Sequence, residues 1–132
     1  NIEDFLKKDS NKFDVITCLE MIEHVPDPAS IIKSCSKKLK KNGRLYVSTI
    51  NRNLKAFLFA IVGAEYILNL LPKGTHHYEK FIKPSEVKSW ANNLNMNISN
   101  ITGMTYNPFL KKYSLGSDVS VNYILELRFN ND

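Results

Sequence analysis

The chain is short of glycine, and its five glycines, Gly43, Gly63, Gly74, Gly103 and Gly116, never fall into a G-x-G pattern. No phosphate-cradling glycine loop of the dinucleotide type is therefore written into these residues. Cysteine is as sparse: Cys18 and Cys35 stand alone, not in the close pairs that ligate zinc. Both are expected to be buried, reduced thiols, which fits a reducing compartment and the lack of a secretory signal pattern. No internal repeat, zinc finger or RNA-recognition motif is present. Acidic residues are outnumbered, 13 against 18 lysines and arginines, and the net charge of +5 favours an anionic partner such as a lipid surface or nucleic acid. Because the lysines are scattered through helices and loops, nucleic acid is the weaker of these and is not expected as a partner. What remains, 43% hydrophobic and 23% charged over 132 residues, is ordinary for one soluble globular domain with a real core.

The hydrophobic pattern alternates strand and helix with short breaks, the signature of an α/β fold. Phe13 to Leu19, FDVITCL, is a β-branched and aromatic run that reads as a buried strand of a parallel sheet. Ala29 to Lys41 sets Ile31, Ile32, Cys35 and Leu39 at helical spacing, with lysines opposite and at the end, and Asn42-Gly43 is expected to stop the helix. Arg44 to Ile50 reads as a second strand. Pro84 opens a helix to about Asn93, with Glu86 in its first turn and Trp90 in the core. Asn97 to Tyr106 and Ser120 to Phe129 then read as two strands, a closing antiparallel hairpin whose Asn107-Pro108 loop is expected to line a pocket.

Between the first strand and the first helix lies TCLEMIEHVPDP, which places two carboxylates and an imidazole just beyond an apolar run. Binding sites in open α/β sheets form at the carboxyl ends of strands. Glu20, Glu23 and His24 have the i, i+3, i+4 spacing of one helical face, so a turn there would converge all three before Pro26 and Pro28 break it. Three readings stay open. The trio holds a hard divalent cation such as Mg²⁺, His24 acts as a general base, or the residues cap the next helix and face water. Ser48 to Arg52 would emerge beside them, either orienting a substrate ring or satisfying local backbone groups.

Leu54 to Leu71 is almost continuously apolar, with Glu65 and Asn69 inside it and Arg52, Lys55 and Lys73 at its flanks. As a helix it would run roughly 27 Å, close to a bilayer's hydrocarbon thickness, but the internal polar residues argue against a span. It reads either as an interfacial segment, with Leu58, Phe59, Ile61, Val62 and Tyr66 giving access to membrane and substrate, or as a buried lid over the site. His76 and His77 follow a Pro72 to Thr75 turn; adjacent residues do not converge on a helix, and His76 is the one considered for substrate contact.

Taken in order, FDVITCLEMIEHVPDP, NGRLYVSTINRN, VGAEYI, PKGTHHYEKFIKP, ITGMTYNPF and VNYIL resemble the ubiquinone-biosynthesis O-methyltransferases, from Phe13 to Leu125. An EHVPDP-like turn recurs across many S-adenosylmethionine methyltransferases, whereas the GAEYI, PKGTH and YNPF blocks are more specific. The resemblance implies a Rossmann-like S-adenosylmethionine-dependent methyltransferase fold. It also implies methyl transfer to a catechol-type hydroxyl of a polyprenylated ring, both 3-demethylubiquinol and the earlier dihydroxybenzene intermediate. Leu19 is implied to touch the cofactor; Glu20, Glu23 and His24 are implied to hold Mg²⁺ on the catechol oxygens, with Glu20 and His24 carrying catalysis. A cation there would lower the hydroxyl's pKa and fix its orientation. Peripheral attachment to the inner membrane follows as an expectation, from the bacterial cytoplasm or the mitochondrial matrix, beside other enzymes of ubiquinone biosynthesis.

The chain begins with Asn, and NIEDFLKK reads as the tail of a helix. Residues 1–132 are expected to be the carboxyl-terminal part of one methyltransferase domain, with an apolar insertion at about 54–72. Three upstream strands, a glycine-rich turn and a ribose-binding acid would then lie outside it, and the piece alone would not turn over. Two alternatives stay in view: another small-molecule S-adenosylmethionine methyltransferase, acting on carbon or nitrogen, and a catalytically inert membrane-binding fragment.

Overall fold

The computed structural model describes residues 11–57, 77–107 and 109–130. Strand β1 (Phe13–Leu19) leads through a single 3-10 turn (Ile22–His24) into helix α1 (Pro28–Lys38) and strand β2 (Leu39–Ile50). A helical turn at Leu54–Ala56 and a 3-10 turn at Tyr78–Lys80 precede helix α2 (Pro84–Asn92). Strands β3 (Met96–Asn107), β4 (Lys112–Gly116) and β5 (Asn122–Phe129) complete the order. The apolar segment's Leu58, Phe59, Ile61, Val62 and Tyr66, and His76 beyond it, lie outside the described residues. Among the described residues no helix is long and apolar enough to cross a membrane.

The five strands form one sheet in the order β1-β2-β5-β3-β4. β1 pairs with β2 in parallel, and every other pairing is antiparallel. Opposed residues share a face, because side chains alternate along a strand. The pairs Ile16 with Leu45, Cys18 with Val47, Thr49 with Tyr123, Val47 with Leu125 and Leu45 with Leu127 therefore line one side. That side is the core face: Leu45, Val47, Tyr123, Leu125 and Leu127 are fully buried with Ile31, Ile32 and Cys35 of α1 and Val87 and Ala91 of α2.

Local chemistry sets the helix starts. Asp27 caps α1 by accepting from the Ser30 N–H at 3.1 Å, and Pro28 occupies the first turn, where its missing N–H costs nothing. At α2, Pro84 takes the same place and the Glu86 carboxylate reaches back to the Lys83 N–H at 2.7 Å. The segment between them is stapled to the sheet from both sides. Ile82 donates its N–H to the Ile50 carbonyl at 3.0 Å, and its own carbonyl accepts from the Tyr123 hydroxyl at 2.7 Å.

Five expectations change. β1, expected to be a buried strand, lies at the end of the strand order among the described residues, with Cys18 buried but Phe13, Val15 and Leu19 exposed. The helix expected to run to Lys41 ends at Lys38, because Leu39 turns extended and pairs with Phe13 at the start of the sheet. β2 consequently begins before Asn42-Gly43, which forms an irregularity inside the strand where Val15 next pairs with Arg44. Trp90 is half-buried against the core rather than inside it. The final two strands pair with each other as expected, but the link between them is itself a strand, β4, which runs along the far edge beside β3.

Gly103 sits where β3 passes under the loop before β5, and a Cβ there would lie 1.9 Å from the Asp118 carbonyl oxygen. Backbone cannot yield as a side chain can. Gly103→Ala is expected to cost about 3 kcal/mol or more in urea unfolding, at the upper end of overpacking effects.

Candidate active site

β1 and β2 run parallel, so their carboxyl ends lie side by side: Leu19 pairs with Ser48, and the chains leave the sheet at Glu20 and Asn51. Glu20 holds a left-handed backbone, with φ of 49°, which strains a residue carrying a Cβ. Ser48 sustains that conformation. Its carbonyl and hydroxyl oxygens both accept from the Glu20 N–H, at 3.1 and 3.0 Å, while the hydroxyl donates to the Glu20 carboxylate at 2.7 Å.

Glu23 lies one strand residue further along. It is buried, 3% exposed, and accepts from the Thr49 hydroxyl at 2.8 Å through Oε2, while its Oε1 is buried with no hydrogen-bond partner among the described residues. An unpaired buried carboxylate oxygen is costly and calls for a cation or a donor. Ser48 and Thr49 are neighbours on a strand and so face opposite sides of the sheet. The two carboxylates are thus anchored on different faces: Glu23 on the core face with Thr49, Glu20 on the other face with Ser48.

The i, i+3, i+4 convergence expected for Glu20, Glu23 and His24 does not form, because Glu20 belongs to the strand's end and the helical turn starts only at Ile22. His24 is exposed on that turn. Among the described residues no three His, Cys, Asp or Glu side chains are grouped to hold a metal ion. Glu23 alone, with its unsatisfied oxygen, fits a cation; the three residues do not make up a ligand set in this arrangement. Leu19 is half exposed, at 51%, on the same face as Ser48, an apolar surface beside the Glu20 turn.

The residues after β2 hold the frame together. Asn51 and Asn53 donate to the Val119 and Ser120 carbonyls at 3.0 and 2.7 Å, and Arg52 pairs with Glu86 at 2.6 Å. Lys55 binds the Asp118 carboxylate at 2.7 Å and the Ser120 hydroxyl at 2.6 Å. The Lys55 and Ser120 hydrogen bonds hold the Asp118 carboxyl below the usual range. His77 sits with its Nδ1 3.8 Å from Glu79.

Two buried protonated groups border the site. Burial pushes the Cys18 thiol up to about 12, with the negative fields of Cys35 and Glu23 adding to it. Burial also raises the Tyr123 hydroxyl, helped by Glu86, Glu23 and Glu20, so it stays a donor to Ile82. The hydroxyls of Ser48 and Thr49 are the functional partners that spacing alone does not reveal; only the parallel register puts them against the two glutamates.

A family profile described as a methyltransferase domain matches residues 2–100. The chain is 55% identical over 124 residues to the ubiquinone biosynthesis O-methyltransferase of Pseudomonas syringae pv. tomato, covering 94% of this chain and 53% of that protein. It is 59% identical over 119 residues to the protein of the same name from Marinobacter nauticus, covering 90% of this chain and 50% of that protein. The chain thus spans about half the length of the curated relatives it matches. In fold it resembles the magnesium protoporphyrin IX methyltransferase of Synechocystis PCC 6803 with bound SAH, at a TM-score of 0.61 and 20% identity, covering 95% of this chain and 48% of that one. It also resembles a SAM-dependent methyltransferase of Thermotoga maritima, a possible histamine N-methyltransferase, at a TM-score of 0.63 and 18% identity, with 95% of this chain and 61% of that one covered.

Thr49→Val keeps the side-chain shape but removes the hydroxyl that donates to the Glu23 carboxylate, and should cost about 2 kcal/mol in chemical unfolding. Cys18, with its thiol at about 12, should resist iodoacetamide at neutral pH in the folded protein and react once it is unfolded.

Proposed function

The chain belongs to the methyltransferase-domain family, and on that premise we propose that it serves an S-adenosylmethionine-dependent O-methyltransferase of ubiquinone biosynthesis, acting on a catechol-type hydroxyl of a polyprenylated ring. The observation that carries this reading is the 55% to 59% identity over nearly all of this chain to proteins of that name. The substrates proposed are 3-demethylubiquinol and the earlier dihydroxybenzene intermediate. The setting proposed is the surface of the inner membrane, peripheral rather than spanning, among other enzymes of the same biosynthesis.

S-adenosylmethionine, when bound, supplies a methyl group on a positively charged sulfur. Leu19, half exposed at the strand's end, is suited to lie against that cofactor. A phenol is a poor nucleophile until its proton is removed. His24 stands exposed on the turn beyond β1 and would take that proton from a hydroxyl brought to the strand ends. Glu20 is fixed by Ser48 on the same side as Leu19, a negative charge held at the strand end where the cofactor's cationic sulfur would lie.

A second reading, in which Mg²⁺ binds at Glu23 rather than to a preformed trio with Glu20 and His24, is favoured by one observation, the buried Oε1 of Glu23 that has no hydrogen-bond partner among the described residues. The test uses the complete enzyme with a soluble catechol. His24→Ala should lower kcat by about a hundredfold or more while leaving KM for the methyl donor near its starting value. Activity lost to a chelator and restored by Mg²⁺ would assign the proton's removal to a bound cation. Activity untouched by chelator would leave it with His24. Absence of any methyl transfer to catechols would overturn the proposal itself.

A further inference from the structure

The β3–β4 hairpin carries an apolar surface that no other part of the described chain covers. Phe109 is 90% exposed, and Leu110, Tyr113 and Leu115 are each about two thirds exposed, at 67%, 70% and 68%. The turn is firmly built. The Asn107 side-chain oxygen accepts from the N–H groups of both Phe109 and Leu110 at 3.0 Å, and Lys111 takes the left-handed backbone that reverses the chain. Tyr106 and Tyr113, paired across the strands, bring their rings to 4.7 Å. An exposed aromatic and an exposed aliphatic side chain thus stand at the hairpin's tip, with Lys111 and Lys112 directly beside them in sequence and two tyrosines on the strands behind.

Register fixes where this tip points. β3 pairs with β5 up to Met104 opposite Asn122, and Asn122 lies opposite Ile50, the last residue of β2. Thr105 to Asn107 therefore continue past the end of β2, about 10 Å further at the rise of a strand. The tip projects from the end of the sheet that carries Glu20, Glu23 and Ser48. Met104, Tyr106, Tyr113 and Leu115 share a face by their pairing, and it is the face of Ile50, Ser48 and Leu19.

Phenylalanine and leucine at a tip, tyrosines behind and lysines alongside match the layers of a bilayer interface: acyl chains, headgroup level and phosphate. An exposed phenylalanine and leucine at a turn with two lysines alongside suit insertion into an anionic lipid surface. We propose that Phe109 to Lys112 form a shallow anchor for an anionic lipid surface, which holds the mouth of the candidate active site against the bilayer. The anchor rests on the methyltransferase reading only for what it delivers, a hydroxyl on a ring whose apolar tail stays in the lipid.

The complete protein is floated with vesicles of phosphatidylcholine, with and without phosphatidylglycerol, and turnover is measured with a polyprenylated and a tail-less catechol. Phe109→Ser with Leu110→Ser should lower partitioning to both vesicle types by about tenfold or more. Lys111→Gln with Lys112→Gln should erase the preference for phosphatidylglycerol and its salt sensitivity. Turnover of the polyprenylated catechol should fall in the serine variant, and that of the tail-less one should hold, which also shows that the variant is folded. Flotation equal in wild type and serine variant overturns the anchor, as does a wild type that does not float. A serine variant that changes oligomeric state with flotation unchanged overturns it in favour of a protein contact. Flotation that depends on Phe109 in a protein that methylates neither catechol supports the anchor and defeats the methyltransferase reading.

Discussion

The parallel pairing of β1 with β2 is the constraint on which the rest of the molecule depends. A parallel pair brings two carboxyl ends to the same edge, so one residue of β1's exit turn meets one hydroxyl of β2, and the next carboxylate meets the next hydroxyl. The alternation of side chains then separates the two meetings onto opposite faces of the sheet. Glu20 keeps its left-handed backbone because Ser48 engages both its N–H and its carboxylate, and the turn that carries Glu23 and His24 starts from that fixed point. Shifting the register by one residue would exchange the faces and bury the wrong carboxylate.

The antiparallel strands do a different job. β5 lies against β2 and turns its buried side chains to the same core, with Tyr123 opposite Thr49. The tyrosine hydroxyl holds Ile82, Ile82 holds the Ile50 carbonyl, and the Asn51 and Asn53 side chains hold the loop before β5. The exit of β2 is thereby tied on both sides. A strand end fixed in this way can present Ser48 and Thr49 with little freedom, which is what positioned polar groups at a site require.

Much of this was legible in the residues, and the exceptions have physical causes. FDVITCL reads as a strand because it is β-branched and apolar, and β5 reads as one because Tyr123, Leu125 and Leu127 alternate. The first five residues of β2, Leu39 to Gly43, look like a helix end and a turn, and only pairing across to Phe13 makes them strand. β4 escaped because all five of its residues are exposed, so KYSLG shows no inward face. The spacing of Glu20, Glu23 and His24 is helical on paper, but helical spacing has meaning only inside a helix. Glu20 is still bound to the sheet, and the turn is three residues long. Register between distant segments decides where a carboxylate points, and no local pattern carries it.

Charge is distributed along the sheet in a way that the net value of +5 conceals. At the end away from the candidate site, Lys41, Arg44 and Arg128 line a groove with Asn42, Asn97 and Ser99. Glu126 answers them there: burial opposes its ionisation, but hydrogen bonds from Tyr46, Arg128 and Ser99 outweigh it and hold the carboxyl below its ordinary range. That end is therefore internally compensated in part and largely polar, with Phe129 as its apolar member. At the other end the lysines of the hairpin stand next to exposed phenylalanine and leucine, with no carboxylate bound to Lys111 or Lys112 among the described residues. Positive charge acts differently in these two settings. Charge beside a carboxylate in a polar groove is screened and local, whereas charge beside uncovered apolar surface adds to the attraction of an anionic lipid interface. The asymmetry gives the sheet one end that is largely polar and another that leaves apolar surface uncovered among the described residues, and the carboxylates of the candidate site belong to the second.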